Sequence, residues 1–389
     1  MKKNTIKKNS PLVWLLASLI FIVYLFVSFT NTGEPSTPIT APNDQPISTP
    51  SVMGAVTSEP VLPSNPDWYS VYFTDPIRPY NQVITGGIED NLIEMIDAAQ
   101  TSIDIAFFEF DLENLAQAII HASDRGVSVR IVYDNEHTDT DPQIDEMISA
   151  GIGATPDNRS AYMHNKFVVI DNQCVWTGSF NPTVNAAYKN NENAVVICDP
   201  YLAENYTTEF TEMYSGQFGT TSPANTPNPV FNIGSITLEN YFSPEDNVMA
   251  EVIRIVSQAT ESIHFMVFSF TDDLLAAEMI SRVENGVPVV GIFESRSAGT
   301  TSSVCPYLLA NNAVISLDGN PYTFHHKVII IDGSIVIFGS FNFTANANEN
   351  NDENLLIVHD PAFAAEFERE FQHRLEESNS SLDAGCHSR

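Results

Sequence analysis

Two stretches of this chain are near copies of one another. HNKFVVIDNQCVWTGSFN at residues 164–181 returns as HHKVIIIDGSIVIFGSFN at residues 325–342. The likeness extends well beyond them. SIDIAFFEF at 102–110 returns as SIHFMVFSF at 262–270, an offset of 160, and NENAVVICDP at 191–200 returns as DENLLIVHDP at 352–361, an offset of 161. A repeat this long constrains the fold more than any composition value, because both copies must build the same unit. At 389 residues there is room for two such units, each with its own apolar core.

Within each copy the apolar pattern switches period. NLIEMIDAAQTS has helical spacing and SIDIAFFEF reads as a strand. LENLAQAIIHASDRG is helical again, stopped at Gly126, and VSVRIVYD reads as a buried strand. Strands alternating with helices predict an α/β domain with a largely parallel or mixed sheet flanked by helices. The expected organisation is repeat one over 67–218, a linker over 219–235, repeat two over 236–375 and a tail over 376–389.

The duplicated hairpin is half polar. Alternate residues of a strand share a face, so His164 and Lys166 point one way and Asp171 the other; His325, Lys327 and Asp332 repeat this. After the turn, Ser179 pairs with Asn181 on one face, and Ser340 with Asn342. Lysine, serine and asparagine all donate hydrogen bonds, which suits an oxyanion such as phosphate. The imidazole is the one member able to attack phosphorus or exchange a proton near neutral pH. In-line displacement at a phosphodiester needs a nucleophile on one side and an acid on the other, so two such sets meeting at a seam would serve one reaction. A local structural role would not require the same donors twice. A divalent metal site fits poorly, since a lysine intervenes and the aspartate points away. No metal or cofactor is expected.

His-x-Lys-x4-Asp followed by Gly-Ser-x-Asn, present twice, resembles the phospholipase D superfamily from about residue 67 to 374. The resemblance implies two pseudo-symmetric halves with the active site at their seam. It further implies a two-step displacement through a phosphohistidine, with His164 as nucleophile and His325 as general acid and then base. Lys166, Lys327, Asn181 and Asn342 would hold the nonbridging oxygens. Glu192 and Glu353, at equal distances from their histidines, match the acids that orient the imidazoles. Asp171 and Asp332 would be structural. Ser179, Ser340 and Glu109, the last at the end of a strand-like run, are substrate-pocket candidates. His326 falls on the opposite face from His325 and reads as packing or surface, and His137 has no motif around it.

The ends and the charge bear on partners. Residues 1–10 carry four lysines, and residues 12–29 are free of charge. A bilayer span takes about 20 apolar residues, so the segment 11–30 predicts a membrane anchor with the rest of the chain extracytoplasmic; a cleaved signal peptide, hence secretion, is the alternative. Residues 31–66, rich in Pro, Ser and Thr, read as a solvated tether. The four cysteines allow three pairings. Cys174 and Cys198 fall in successive strand-like runs and are a candidate bridge, which leaves Cys305 and Cys386 to tie down the tail, with free buried thiols as the alternative. The net charge is −32, which opposes nonspecific nucleic-acid binding. Phospholipid headgroups are therefore the expected substrate, ahead of DNA cleavage or phosphatidyl transfer of the cardiolipin-synthase kind. With both motif copies in one chain, a monomer suffices.

Overall fold

The repeat builds two mixed sheets. The computed structural model describes residues 68–76, 85–138, 141–378 and 386. Repeat one contributes β1 (Tyr69–Phe73), β2 (Ser102–Phe107), β3 (Ser128–Tyr133), β4 (Gly153–Pro156), β5 (Lys166–Ile170), β6 (Cys174–Gly178) and β7 (Asn193–Cys198). Their order across the sheet is β1-β7-β6-β5-β2-β3-β4. Repeat two contributes β8 (Val230–Ile233), β9 (Ile236–Ser243), β10 (Ile263–Val267), β11 (Val289–Phe293), β12 (Val314–Leu317), β13 (Lys327–Ile331), β14 (Ile335–Gly339) and β15 (Glu353–His359). Their order is β12-β11-β10-β13-β14-β15-β9-β8. The parallel pairs, β2-β3-β4 and β10-β11-β12, are joined through helices. The duplicated hairpins make the centre of each sheet antiparallel.

Both hairpins turn on residues in the left-handed region. Asp171 and Asn172 have φ of 54° and 51°, and Asp332 and Gly333 have 53° and 55°. They are the central residues of tight turns closed by Gln173 N donating to Ile170 O and by Ser334 N donating to Ile331 O. Each aspartate then accepts hydrogen bonds from the start of the neighbouring strand. Asp171 takes the N–H groups of Gln100, Thr101 and Ser102; Asp332 takes those of Thr260, Glu261 and Ser262. Burial works against their charge, but these donors outweigh it and lower both carboxyls below the usual aspartate range. At the far end of each hairpin a glycine is obligatory. A Cβ on Gly178 would meet Asn193 O at 2.4 Å, and one on Gly339 would meet Asn354 O at 2.3 Å.

Two helices, Pro200–Tyr214 and Pro361–Glu377, follow the last strand of each repeat. Each has a proline at its first position behind an aspartate cap, Asp199 or Asp360. They join the inner faces of both sheets in a shared core that includes Val195, Phe210, Phe338 and Phe367. Burying each such side chain favours folding by about 1.5–3 kcal/mol, so the halves cohere through this layer. Cys174 is bonded to Cys198 across β6 and β7, and Cys305 to Cys386.

The membrane anchoring expected from the N-terminus is overturned. No helix among the described residues is long and apolar enough to cross a membrane. The longest, Pro361–Glu377, has 17 residues and is studded with Glu and Arg, short of the roughly 20 apolar residues a span requires. Residues 11–30 and the tether at 31–66 lie outside the described residues.

Beside the shared core, Glu209 and Glu245 contact each other, near Glu212 and Asp246. Burial, reinforced for Glu209 by the neighbouring acids, raises both carboxyls, Glu245 to about 7. A carboxyl raised on folding stabilises while protonated, and that contribution is lost as pH rises through its folded value. The melting temperature should therefore fall as pH rises from 6 to 8. Glu209→Gln, whose amide can donate to Glu245, should flatten that slope in a thermal melt series. An unchanged slope would remove this pair as its source.

Candidate active site

The two repeats meet where their hairpins begin. His164 N donates to Asp352 O at 2.9 Å, and His325 N donates to Asn191 O at 2.9 Å, so each histidine is strapped to the opposite repeat by its backbone. The side chains cross the seam too. His164 Nδ1 lies 2.6 Å from Glu353 Oε2, and His325 Nδ1 lies 2.8 Å from Glu192 Oε2. Each imidazole is thus oriented by the carboxylate of the other repeat. A repeat-internal comparison of spacing finds these glutamates but not the exchange of partners.

The serines stand behind the glutamates. Ser179 Oγ donates to Glu192 Oε2 at 2.6 Å, and Ser340 Oγ donates to Glu353 Oε2 at 2.7 Å. The lysines lie beside the histidines: Lys166 Nζ donates to His164 O at 2.7 Å, and Lys327 Nζ to His325 O at 2.8 Å. Each ammonium also sits over an aromatic ring, Phe108 at 5.0 Å and Phe268 at 4.9 Å. Sequence reasoning passed over these phenylalanines, although they match across the repeat. Asn181 Nδ2 donates to Glu109 Oε2 at 2.9 Å. The Oδ1 atoms of Asn181 and Asn342 are buried without a hydrogen-bond partner.

The residues next to the histidines seal the seam. His326 is fully buried, and its Nδ1 lies 2.9 Å from Asn193 Nδ2 of repeat one. Its equivalent, Asn165, accepts from Asn354 Nδ2 at 2.9 Å. His326 is thus a packing residue, with a polar partner in repeat one that the motif spacing did not reveal.

Burial dominates the electrostatics. It pushes His325 down to about 4 and His164 well below the usual imidazole value, with the lysine charges adding in the same direction. Burial likewise lowers Lys166 to about 8 and Lys327 to about 7. The two carboxyls diverge. Burial raises Glu353 to about 8; it opposes the charge on Glu192 as well, but His325, Lys327 and Ser179 hold Glu192 below the usual range. Burial therefore disfavours charge on both imidazoles of the free protein, and its effect is offset at Glu192 but not at Glu353. An arriving phosphate anion would raise the imidazoles and lysines together.

Above His325 and Asn181 lies a cleft of about 900 Å³. Glu109, Asp111, Asp141 and Glu294 line it, as do Phe268, Ser269, Tyr322 and His137. His137 also packs against Phe108, with ring centroids 4.2 Å apart. A separate group of metal-ligating side chains, Asp75, His373 and Glu377, gathers around Arg374, whose guanidinium bonds to both carboxylates.

A family model described as a cardiolipin synthase, PLD-like domain, matches residues 92–214 and again residues 252–375. The chain belongs to the phospholipase D-like family. A mitochondrial cardiolipin hydrolase of Xenopus tropicalis is 36% identical over 124 residues, which is 32% of this chain and 59% of the relative. A phospholipase D of Rickettsia prowazekii is 29% identical over 139 residues, 36% of this chain and 68% of the relative. The chain thus spans little more than half the length of the cardiolipin hydrolase. The crystal structure of a phosphatidylserine synthase from Haemophilus influenzae, 14% identical, shares the fold with a TM-score of 0.58, covering 75% of this chain and 84% of that one.

Two buried lysines near their titration points predict a pH-dependent anion site. Sulfate, whose charge is fixed across this range, should bind about tenfold more weakly at pH 8.5 than at pH 6.5, as Lys327 and then Lys166 lose protons. Calorimetric titration measures this directly. Affinity that does not change with pH would mean that these lysines do not hold the anion.

Proposed function

We propose that this protein hydrolyses the phosphodiester of phospholipid headgroups through a phosphohistidine intermediate, giving phosphatidic acid. The observation that carries the reading is the crossed pairing of His164 with Glu353 and His325 with Glu192, which brings two imidazoles and two lysines to one seam. With Nδ1 held by a carboxylate, the Nε2 of each imidazole is the nitrogen left for chemistry.

His164 Nε2 attacks phosphorus and the bond to the headgroup oxygen breaks. That oxygen takes a proton from His325 Nε2. Water then gives a proton back to His325, attacks phosphorus and breaks the P–N bond. Lys166 and Lys327 neutralise the nonbridging oxygens, with the amides of Asn181 and Asn342 as further donors. Ser179 and Ser340 hold the orienting glutamates; by their contacts they position those acids and need not touch substrate. The general acid must carry a proton on Nε2, and Glu192, whose carboxyl is held below the usual range, favours the charged imidazole of His325 once phosphate is bound. Both repeats of one chain supply the groups, so a monomer suffices. A primary alcohol in place of water would give phosphatidyl transfer by the same route.

The test uses the full chain with EDTA present. Phosphatidylcholine vesicles with a little primary alcohol are offered in parallel with single- and double-stranded DNA. Phosphatidic acid and phosphatidyl alcohol should form, and His164→Ala should reduce the rate by roughly 10³-fold or more. DNA cleavage without any lipid product would instead make the protein a nuclease of the same family.

A further inference from the structure

One difference between the two copies of the site falls on the cleft. Glu109 ends the strand-like run of repeat one, and its counterpart in repeat two is Ser269. Both line the cleft over His325. Glu109 holds the amide of Asn181 at 2.9 Å, and its charge acts on both Lys166 and Lys327. It therefore faces the open cleft while its charge reaches both lysines.

The charge around this position gives it meaning. The cleft lining is acidic: Asp111, Asp141 and Glu294 join Glu109 there, and Arg296, the one guanidinium of the lining, is paired with Glu294 at 2.5 Å. Glu109 is the carboxylate among them that bonds a residue of the duplicated motif, Asn181. An alcohol that carries a positive charge is attracted to such a lining, and one that carries a second phosphate is repelled.

We propose that Glu109 sets the charge selectivity of the site, favouring phosphodiesters whose alcohol carries an ammonium group and opposing those with a neutral alcohol or a second phosphate. The proposal rests on the phosphodiesterase reading above and deepens it. It also separates this chain from the cardiolipin hydrolase that it resembles. Cardiolipin, the lipid in that relative's name, carries two phosphates and no cation.

The test compares two soluble diesters that differ only in the alcohol, glycerophosphocholine and glycerophosphoglycerol. Binding is measured by calorimetry in the His164→Ala protein, with and without Glu109→Gln, a change that removes the charge and keeps an acceptor for Asn181. Turnover of phosphatidylcholine and cardiolipin vesicles is followed in the otherwise unaltered chain. A preference for glycerophosphocholine of about tenfold is expected, the scale of one charge pair in a partly buried site. Glu109→Gln should abolish it and should speed cardiolipin cleavage relative to phosphatidylcholine. Glu109→Ser, which installs the residue of repeat two, serves as a second variant and should act in the same direction. No preference in the starting protein, or a preference that survives both substitutions, overturns the proposal. Selective binding without turnover of either lipid upholds the role of Glu109 and rejects the hydrolase reading. Turnover without selectivity does the reverse.

Discussion

Two hydrogen bonds between an imidazole and a carboxylate, each crossing the seam, are what the rest of this molecule depends on. A histidine facing a buried phosphate site needs its second ring nitrogen fixed, or the ring rotates and its tautomer is undefined. Here the fixing group comes from the other repeat in both cases. Neither repeat completes a reaction centre alone. The shared apolar core, the backbone straps from Asp352 and Asn191, and the buried contacts of Asn165 and His326 all keep the two halves in register for those bonds.

Symmetry supplies the parts and asymmetry distinguishes their roles. The two serines, glutamates and lysines are placed alike, yet burial raises the carboxyl of Glu353 while the neighbouring charges and Ser179 lower that of Glu192. The departure of Glu109 from Ser269 biases the cleft in the same way, toward one side of a two-sided site. A duplicated chain can diversify like this because each copy is free to change at positions that the seam does not constrain.

Much of this was legible in the sequence. The repeat predicted two α/β halves, and the alternation of His164, Lys166 and Asp171 along a strand separated the chemical face from the structural one. The aspartates do serve the fold, as acceptors for the neighbouring strand. The exchange of glutamates was not legible, because each glutamate stands at the same spacing from the histidine of its own repeat, and that spacing says nothing about a partner across the seam. The serines were read as substrate contacts since a hydroxyl on the right face could serve either purpose; only geometry turns them toward the acids. The sheets are also more antiparallel than alternating strands and helices suggest, because the hairpins occupy their centres. Hydropathy over residues 12–29 pointed to an anchor, and no helix among the described residues supplies one.

The central claim is that both copies serve one covalent displacement, with His164 attacking. The most direct measurement offers a p-nitrophenyl phosphodiester, whose leaving group needs no acid, to the His325→Ala and His164→Ala proteins. The reaction is quenched in alkali to preserve any phosphohistidine, and the peptides are mapped by mass. The account predicts a burst of about one nitrophenolate per chain in His325→Ala, with the adduct on His164, and neither burst nor adduct in His164→Ala. An adduct on His325 in the His164→Ala protein, with none on His164 in the other, would reverse the roles and contradict the account.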